Sequence, residues 1–201
     1  EPDADPDRAW ETCMTLNPPP GWSYLGEGLT NKSPGELIYY LVNTVRQGGN
    51  LLFNIGPDPR GELDARQEKA LATFQHWLKA NGEAIYGTSP EGIYTEKWNQ
   101  GGPMHIGLIT CKGRVGYLTI FNYPGAELIV SKIATPIESA EWLATGESLE
   151  VEPLSNHRQR ISGLPLAPPD ELPPVMKLTF AEPPKSHRFS GADWLEGQWN
   201  G

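Results

Sequence analysis

The sequence is short of positive charge. Its 16 Lys and Arg stand against 25 Asp and Glu, which gives a formal net charge of −9. Nucleic acid and anionic membranes carry negatively charged phosphates and bind protein surfaces that are rich in basic residues. Because this chain is acidic, we expect neither nucleic acid nor a membrane surface as a partner. No apolar run approaches the roughly 20 residues that span a bilayer, and the N-terminal segment lacks signal-peptide character. A neutral ligand fits this composition.

Cysteine and histidine are also scarce. The only two cysteines, Cys13 and Cys111, lie in different apolar segments, and we interpret them as reduced core thiols. The Gly-rich segment before Leu51 lacks the Lys-Ser/Thr of a phosphate loop, so no cofactor is indicated. The histidines are too scattered for metal-ligand spacing, and we expect no metal at any of the four: His76, His105, His157 and His187.

The first 88 residues are predicted to alternate strands and helices. Ser33-Pro34-Gly35-Glu36 is a capping-box start for a helix that should run from Pro34 to about Gln47. The run Leu51–Ile55 is apolar on both sides, which is typical of a parallel sheet covered by helices. The other predicted elements are a strand at Ala9–Leu16 and a helix begun by Asp64 and Gln67, with Leu71, Phe74 and Leu78 facing inward, and ended by Asn81-Gly82.

Beyond Ser89-Pro90 the apolar period changes from 3.6 to 2, and turn residues recur about every ten positions. This pattern predicts an antiparallel β-sandwich over residues 89–182. Residues 183–201 form a Gly-rich polar tail, which we interpret as a flexible end or a non-native extension. The predicted strands are Met104–Thr110, Val115–Asn122, Glu127–Lys132, Ser139–Leu143, Arg158–Ile161 and Val175–Phe180.

Glu11 is the candidate for chemistry. A carboxyl flanked by Trp10 and Cys13 in a strand predicted to be buried is costly when ionised, so burial would raise its pKa, as a general acid requires. The residues alone favour a simpler alternative, in which Glu11 points into solvent or pairs with Arg8.

Four ordered motifs carry a resemblance to a known family. They resemble the retaining α-L-fucosidases of glycoside hydrolase family 29, and the region beyond Ser89 resembles the C-terminal β-sandwich of that family. The motifs are Trp10-Glu11-Thr12-Cys13-Met14-Thr15, Gly21-Trp22-Ser23-Tyr24, the run from Gly48 to Pro57, and the run from Trp77 to Gly87.

The resemblance implies a fold and a partial active site. Residues 1–88 would be the C-terminal portion of a (β/α)8-like barrel, and Glu11 would be the general acid/base. The Asp nucleophile of the family lies upstream of the Trp-Glu motif, so we expect a C-terminal fragment that needs the upstream remainder of the barrel and is inactive alone. The alternative is a non-catalytic sugar-binding or scaffold module.

The resemblance also implies the ligand and the residues that bind it. The partner would be a fucosylated glycan or glycoside, in a secreted, periplasmic or lysosomal-type compartment. Trp22 and Tyr24 would face the sugar, with Asn54 and Gly56 on the floor of the site; alternatively the aromatic residues pack over the barrel top and Asn54 satisfies backbone groups. Two acids in the following loop are interpreted as solvated turn residues rather than as substitutes for the nucleophile: Asp58 and Glu62.

Overall fold

The structure is a computed structural model that describes residues 9–17, 21–26, 31–90, 106–131, 133–155 and 158–185. The chain divides into two compact units, Glu1–Pro90 and Glu91–Gly201. Within the described ranges, no helix has both the length and the apolar character needed to cross a membrane. Some expectations lie outside these ranges: Arg8, His105, His157, His187, the start of the strand at Met104, and the tail beyond residue 185.

The first unit alternates strands and helices in the predicted order. Strands β1 and β2 pair in parallel, with Glu11 opposite Asn50 and Thr15 opposite Asn54. This pairing confirms the parallel sheet expected from the apolar run. The elements are β1 (Glu11–Thr15), α1 (Pro34–Val45), β2 (Asn50–Asn54), α2 (Ala65–Asn81) and a 3-10 turn (Gly82–Ala84).

Local hydrogen bonds fix both helix starts. The capping box is present, since Oγ of Ser33 accepts from the Glu36 amide at 3.3 Å and Oε2 of Glu36 accepts from the Ser33 amide at 2.7 Å. Asp64 caps α2 by accepting from the amides of Arg66 and Gln67 at 2.9 Å each. Helix α1 ends at Val45, two residues before the predicted Gln47.

The helices cover only one face of the β1–β2 pair. Leu16, Phe53 and Ile55 pack with Leu37 and Ala70, and the ring of Phe53 stacks on Phe74 with centroids 6.0 Å apart. In α2 the fully buried positions are Gln67, Ala70, Trp77 and Asn81, while the residues predicted to face inward, Leu71, Phe74 and Leu78, are partly buried.

The opposite face of the pair is open, so the expected burial of Glu11 and Cys13 is wrong, and the alternative in which Glu11 points into solvent is confirmed. Glu11 and Cys13 are exposed rather than buried, and Leu52 is 49% exposed. The physical reason is that side chains alternate along a strand, and both helices lie on the other side. Cys111, in the second unit, is buried as predicted.

Among its described residues the second unit has seven antiparallel strands, where the sequence predicted six. The additional strand is β7, and its neighbour β6 begins two residues earlier than expected. The strands are β3 (Gly107–Lys112), β4 (Val115–Ile120), β5 (Glu127–Val130), β6 (Ile137–Trp142), β7 (Ser148–Leu154), β8 (Arg158–Ser162) and β9 (Val175–Phe180).

These strands form one hydrogen-bonded series, in the order β3-β4-β9-β6-β7-β8-β5. Strand β7 changes partner along its length: Ser148 and Leu149 pair with β6, and Glu150 to Leu154 pair with β8. Side chains from all seven strands meet in a single apolar core, which includes Ile109, Leu128 and Leu178. The sheet therefore curls around one interior.

Candidate functional site

The carboxyl ends of β1 and β2 lie at one edge of the sheet, at Thr15 and Asn54. We call this the carboxyl edge. The chain after β1 turns back across it, because Oγ1 of Thr15 donates to the carbonyl of Gly21 at 2.7 Å and accepts from the Asn17 amide at 3.3 Å. The turn brings residues 22–24, which we call the aromatic segment, beside the end of β2.

Two side-chain amides hold the aromatic segment. Nδ2 of Asn54 donates to the carbonyl of Trp22 at 2.9 Å, and Nδ2 of Asn17 donates to the carbonyl of Ser23 at 2.9 Å. The first bond joins β2 to the segment after β1, across 32 positions of sequence. Asn54 therefore satisfies a backbone group, which is the alternative that the sequence left open.

Close packing against Gly56 holds the same segment from another side. A Cβ added to Gly56 would lie 2.8 Å from the carbonyl carbon and oxygen of Ser23, and 2.9 Å from the amide nitrogen of Tyr24. These are main-chain atoms, which cannot swing away as a flexible side chain can. The loop after β2 thus approaches the aromatic segment more closely than any other residue type permits.

Lys32 links the end of β1 to the start of α1. Its Nζ donates to the carbonyls of Thr15 and Asn17, at 2.7 Å in each case, and its own amide donates to Leu16 at 3.0 Å. Hydrogen bonds from a charged donor are about twice as strong as neutral ones. The ammonium group therefore fixes the backbone of Asn17, whose side chain holds Ser23.

Gln67, in the first turn of α2, holds the loop after β2 by a hydrogen bond. The side chain is 2% exposed, and its Nε2 donates to the carbonyl of Gly56 at 3.0 Å. Within the described part of the chain, its Oε1 is buried with no hydrogen-bond partner. The first turn of α2 thus contributes directly to the position of the loop after β2.

The aromatic segment presents one large ring to its surroundings. The side chain of Trp22 is 56% exposed, although its carbonyl is held by Asn54, and Tyr24 is half-buried. An exposed indole on a fixed main chain is a surface on which the apolar side of a small ligand can stack.

The acidic loop after β2 is held by its own turn. The amides of Glu62 and Arg60 donate to Oδ1 of Asp58 at 3.0 and 2.8 Å, and together with the Arg60 side chain they lower the pKa of Asp58, the Glu62 amide having the largest effect. The Arg60 guanidinium lies 3.1 Å from Asp58 and 3.0 Å from Glu62. These contacts all lie within residues 58–62, which is the arrangement expected of turn residues. In the described ranges, no group of three or more His, Cys, Asp or Glu side chains is arranged to hold a metal.

Glu11 lies away from this site. It is the first residue of β1, four residues before Thr15, so its backbone is about 13 Å from the carboxyl edge at 3.3 Å per residue. The structure brings Trp22, Tyr24 and Asn54 together and leaves Glu11 at the opposite edge. Strand β1 begins at Glu11, so the structure places Glu11 at the amino end of that strand.

Sequence reasoning missed the roles of Asn17 and Lys32. Asn17 stands immediately before three prolines, and Lys32 immediately before the N-cap Ser33, and neither position indicates a long-range contact. A cation next to the end of a strand is common on surfaces, so its two carbonyl partners could be found only from the structure.

Comparison with known proteins gives a consistent group of relatives. The family model described as Alpha-L-fucosidase matches residues 1–83. Tissue alpha-L-fucosidase of Bos taurus is 30% identical over 182 residues, covering 86% of this chain and 36% of the relative. Plasma alpha-L-fucosidase of Homo sapiens is 46% identical over 100 residues, covering 44% of this chain and 21% of the relative.

Solved structures resemble the chain over most of its length. The alpha-L-fucosidase isoenzyme 1 of Paenibacillus thiaminolyticus has a TM-score of 0.74 at 25% identity and covers 87% of this chain and 40% of that one. An alpha-L-fucosidase of Bacteroides thetaiotaomicron, solved as a trapped covalent intermediate with 2-fluoro-fucosyl fluoride, has a TM-score of 0.70 at 27% identity, with coverages of 86% and 38%. The chain spans little more than a third of the first curated relatives, 36% and 38% of their lengths.

Proposed function

Because this chain belongs to the α-L-fucosidases of glycoside hydrolase family 29 and covers a C-terminal part of them, we propose that the protein containing it hydrolyses terminal α-L-fucosyl linkages in glycans. One observation of the structure supports the proposal most directly. An exposed indole, Trp22, stands at the carboxyl edge of a parallel strand pair, where enzymes built on β/α barrels bind their substrates.

The first unit has the features of barrel strands with their helices. The β1–β2 pair is parallel, two helices cover one face, and the other face is open at Cys13 and Leu52. Two strands cannot close a barrel, so the open face requires further strands. We assign residues 1–88 to the C-terminal portion of a (β/α)8-like barrel, 89–182 to a β-sandwich and 183–201 to a tail.

The aromatic segment is assigned to sugar binding. Fucose has an apolar side that carries its C6 methyl group, and an exposed indole such as Trp22 suits that side, with Tyr24 beside it to offer a hydroxyl. Asn54 donates its amide nitrogen to the Trp22 carbonyl, so we assign it to the sugar site through the aromatic segment that it holds.

The retaining mechanism is proposed from the family. Retention needs two carboxyl groups about 5–5.5 Å apart, one that attacks C1 and one that protonates the leaving oxygen and later activates water. The trapped covalent intermediate named for the Bacteroides relative supports such a pathway there. The nucleophile would come from the remainder of the barrel, so the 201 residues alone should not hydrolyse a fucoside.

The assignment of Glu11 as the general acid/base comes from the resemblance and stays a prediction. Its place about 13 Å from the carboxyl edge argues against it. The variant Glu11→Gln in the complete protein decides the matter. Loss of a general acid lowers kcat/KM by about 10²–10⁴-fold for fucosides with poor leaving groups and spares kcat/KM for activated ones. A residue outside the site leaves both rates unchanged, and the geometry leads us to expect this second result.

The function itself is tested with the complete coding sequence that contains these residues. We expect the purified protein to release 4-nitrophenol from 4-nitrophenyl α-L-fucoside and to leave the β-D-galactoside intact, with the first sugar product in the α configuration by proton NMR. An inactive but folded protein that still binds fucose would favour the non-catalytic sugar-binding module. A β-configured first product would refute retention.

A further inference from the structure

The carboxyl edge contains three independent restraints on three consecutive residues. Asn54 holds the carbonyl of Trp22, Asn17 holds the carbonyl of Ser23, and Gly56 packs against the backbone of Ser23 and Tyr24. The restraints come from both strands. Asn54 is the last residue of the ladder that joins β1 and β2, but its restraint on Trp22 comes from the side-chain amide, which takes no part in that ladder. Asn17 and Gly56 lie beyond the ladder.

We propose that Asn17, Lys32, Asn54 and Gly56 form a clamp whose task is to position the indole of Trp22 for the sugar. The proposal rests on the proposed function and adds positioning residues to it. Asn54 and Lys32 then act through the aromatic segment and not by their own contact with the substrate.

The hydrogen bonds of Lys32 support this role. Its Nζ reaches two carbonyls at 2.7 Å, one on Thr15 and one on Asn17, so it holds the residue that in turn holds Ser23. Ordering a long Lys side chain costs rotamer entropy, and the two charge-assisted bonds offset that cost. A lysine with two such bonds gives a fixed backbone at the end of β1.

The exposure of Trp22 also supports a positioning role for the clamp. A 56% exposed indole gains little from burial, so packing alone would leave the segment free to move. Preorganising a binding group in its bound geometry raises affinity by removing the cost of ordering it. The clamp supplies that order through the main chain and leaves the ring face open.

A functional double-mutant cycle on Asn54 and Trp22 in the complete protein tests the proposal. We expect Asn54→Ala to raise KM for 4-nitrophenyl α-L-fucoside about fivefold, as the loss of one hydrogen bond would, with kcat nearly unchanged. We expect Trp22→Ala to raise KM by more. In the Trp22→Ala background, Asn54→Ala should then have no further effect, because its action passes through the indole.

Lys32 is tested by two exchanges at one position. Lys32→Met removes both charge-assisted bonds and should raise KM, whereas Lys32→Arg keeps a cation with N–H donors but with different geometry, and should restore part of the affinity. The matched control is Thr88→Val, which deletes the 3.0 Å bond from Oγ1 to the carbonyl of Ile85 beyond α2 and should leave KM unchanged.

Two results would overturn the clamp. An Asn54→Ala effect that persists in full without the Trp22 indole would make Asn54 a direct ligand of the sugar. A rise in KM for Thr88→Val equal to that for Lys32→Met would show that general stability, and not position, sets the affinity. If the unaltered complete protein does not hydrolyse the fucoside, the proposed function fails first and the cycle is read from fucose binding by calorimetry, where the same pattern is expected.

Discussion

Adding a single methyl group at Gly56 should displace the aromatic segment. The new Cβ would stand 2.8 Å from the Ser23 carbonyl atoms, whereas ordinary contacts lie at 3.4–4 Å. The segment must therefore retreat by at least about 0.6 Å. Overpacking of this kind costs about 1–3 kcal/mol of folding free energy. Misplacing a binding group by about 1 Å can cost on the order of 100-fold in rate, so we expect kcat/KM to fall about tenfold or more.

The assay measures initial rates on 4-nitrophenyl α-L-fucoside and urea unfolding, both on the complete protein. Gly35→Ala is the matched control, because a Cβ at Gly35, in the first turn of α1, meets no atom within 4 Å. This exchange should stabilise the fold by about 0.4–1 kcal/mol and leave kcat/KM unchanged. The reasoning is refuted if Gly56→Ala retains the activity and the unfolding midpoint of the parent, or if Gly35→Ala is impaired equally.

Two further predictions concern the helix cap and the thiols. Asp64→Ala should cost about 1 kcal/mol of unfolding free energy, measured in urea, because it removes the cap of α2. The amide of Gln67 contributes most to lowering the pKa of Asp64 in the folded protein. The stabilisation by the cap is therefore complete above the unfolded pKa of about 3.9 and is lost as the pH falls through the lower folded pKa. A cost of Asp64→Ala that persists undiminished at pH 2 would contradict this prediction. In the 201-residue chain, Cys13 is exposed and Cys111 is 4% exposed. Iodoacetamide should therefore alkylate Cys13 in the folded chain and Cys111 only on unfolding, as mass spectrometry of the peptides would show. Equal rates of alkylation would contradict the open face of the β1–β2 pair.

The parts of the fold that the sequence predicted well depend on short-range chemistry. The capping box at Ser33 and the cap at Asp64 each need only residues up to three positions apart. The sequence motif alone therefore predicts where each helix begins. The apolar run at β2 predicted a parallel strand for a similar reason. Its hydrophobic pattern reports directly on the environment that the strand requires.

The parts that were missed depend on distant residues. The strand limits and register put Glu11 at the start of β1 opposite Asn50, and neither follows from the Trp-Glu motif itself. Strand β7 alternates apolar and polar residues, which was the available signal, but Pro153 removes an amide donor and weakens the pattern. The bonds of Lys32 to Thr15 and Asn17 span 17 and 15 positions, beyond the reach of any local rule.

The position of β9 has a consequence for how the second unit folds. The last of the described strands, Val175–Phe180, lies between β4 and β6, and the side chains of Met176, Leu178 and Phe180 are 0% exposed. Pairing between strands far apart in sequence is slow to form, because a long loop must close before the contacts are made. During synthesis, the halves of the sheet that meet at β9 must therefore wait for it, and the sheet closes only when the ribosome has released this segment.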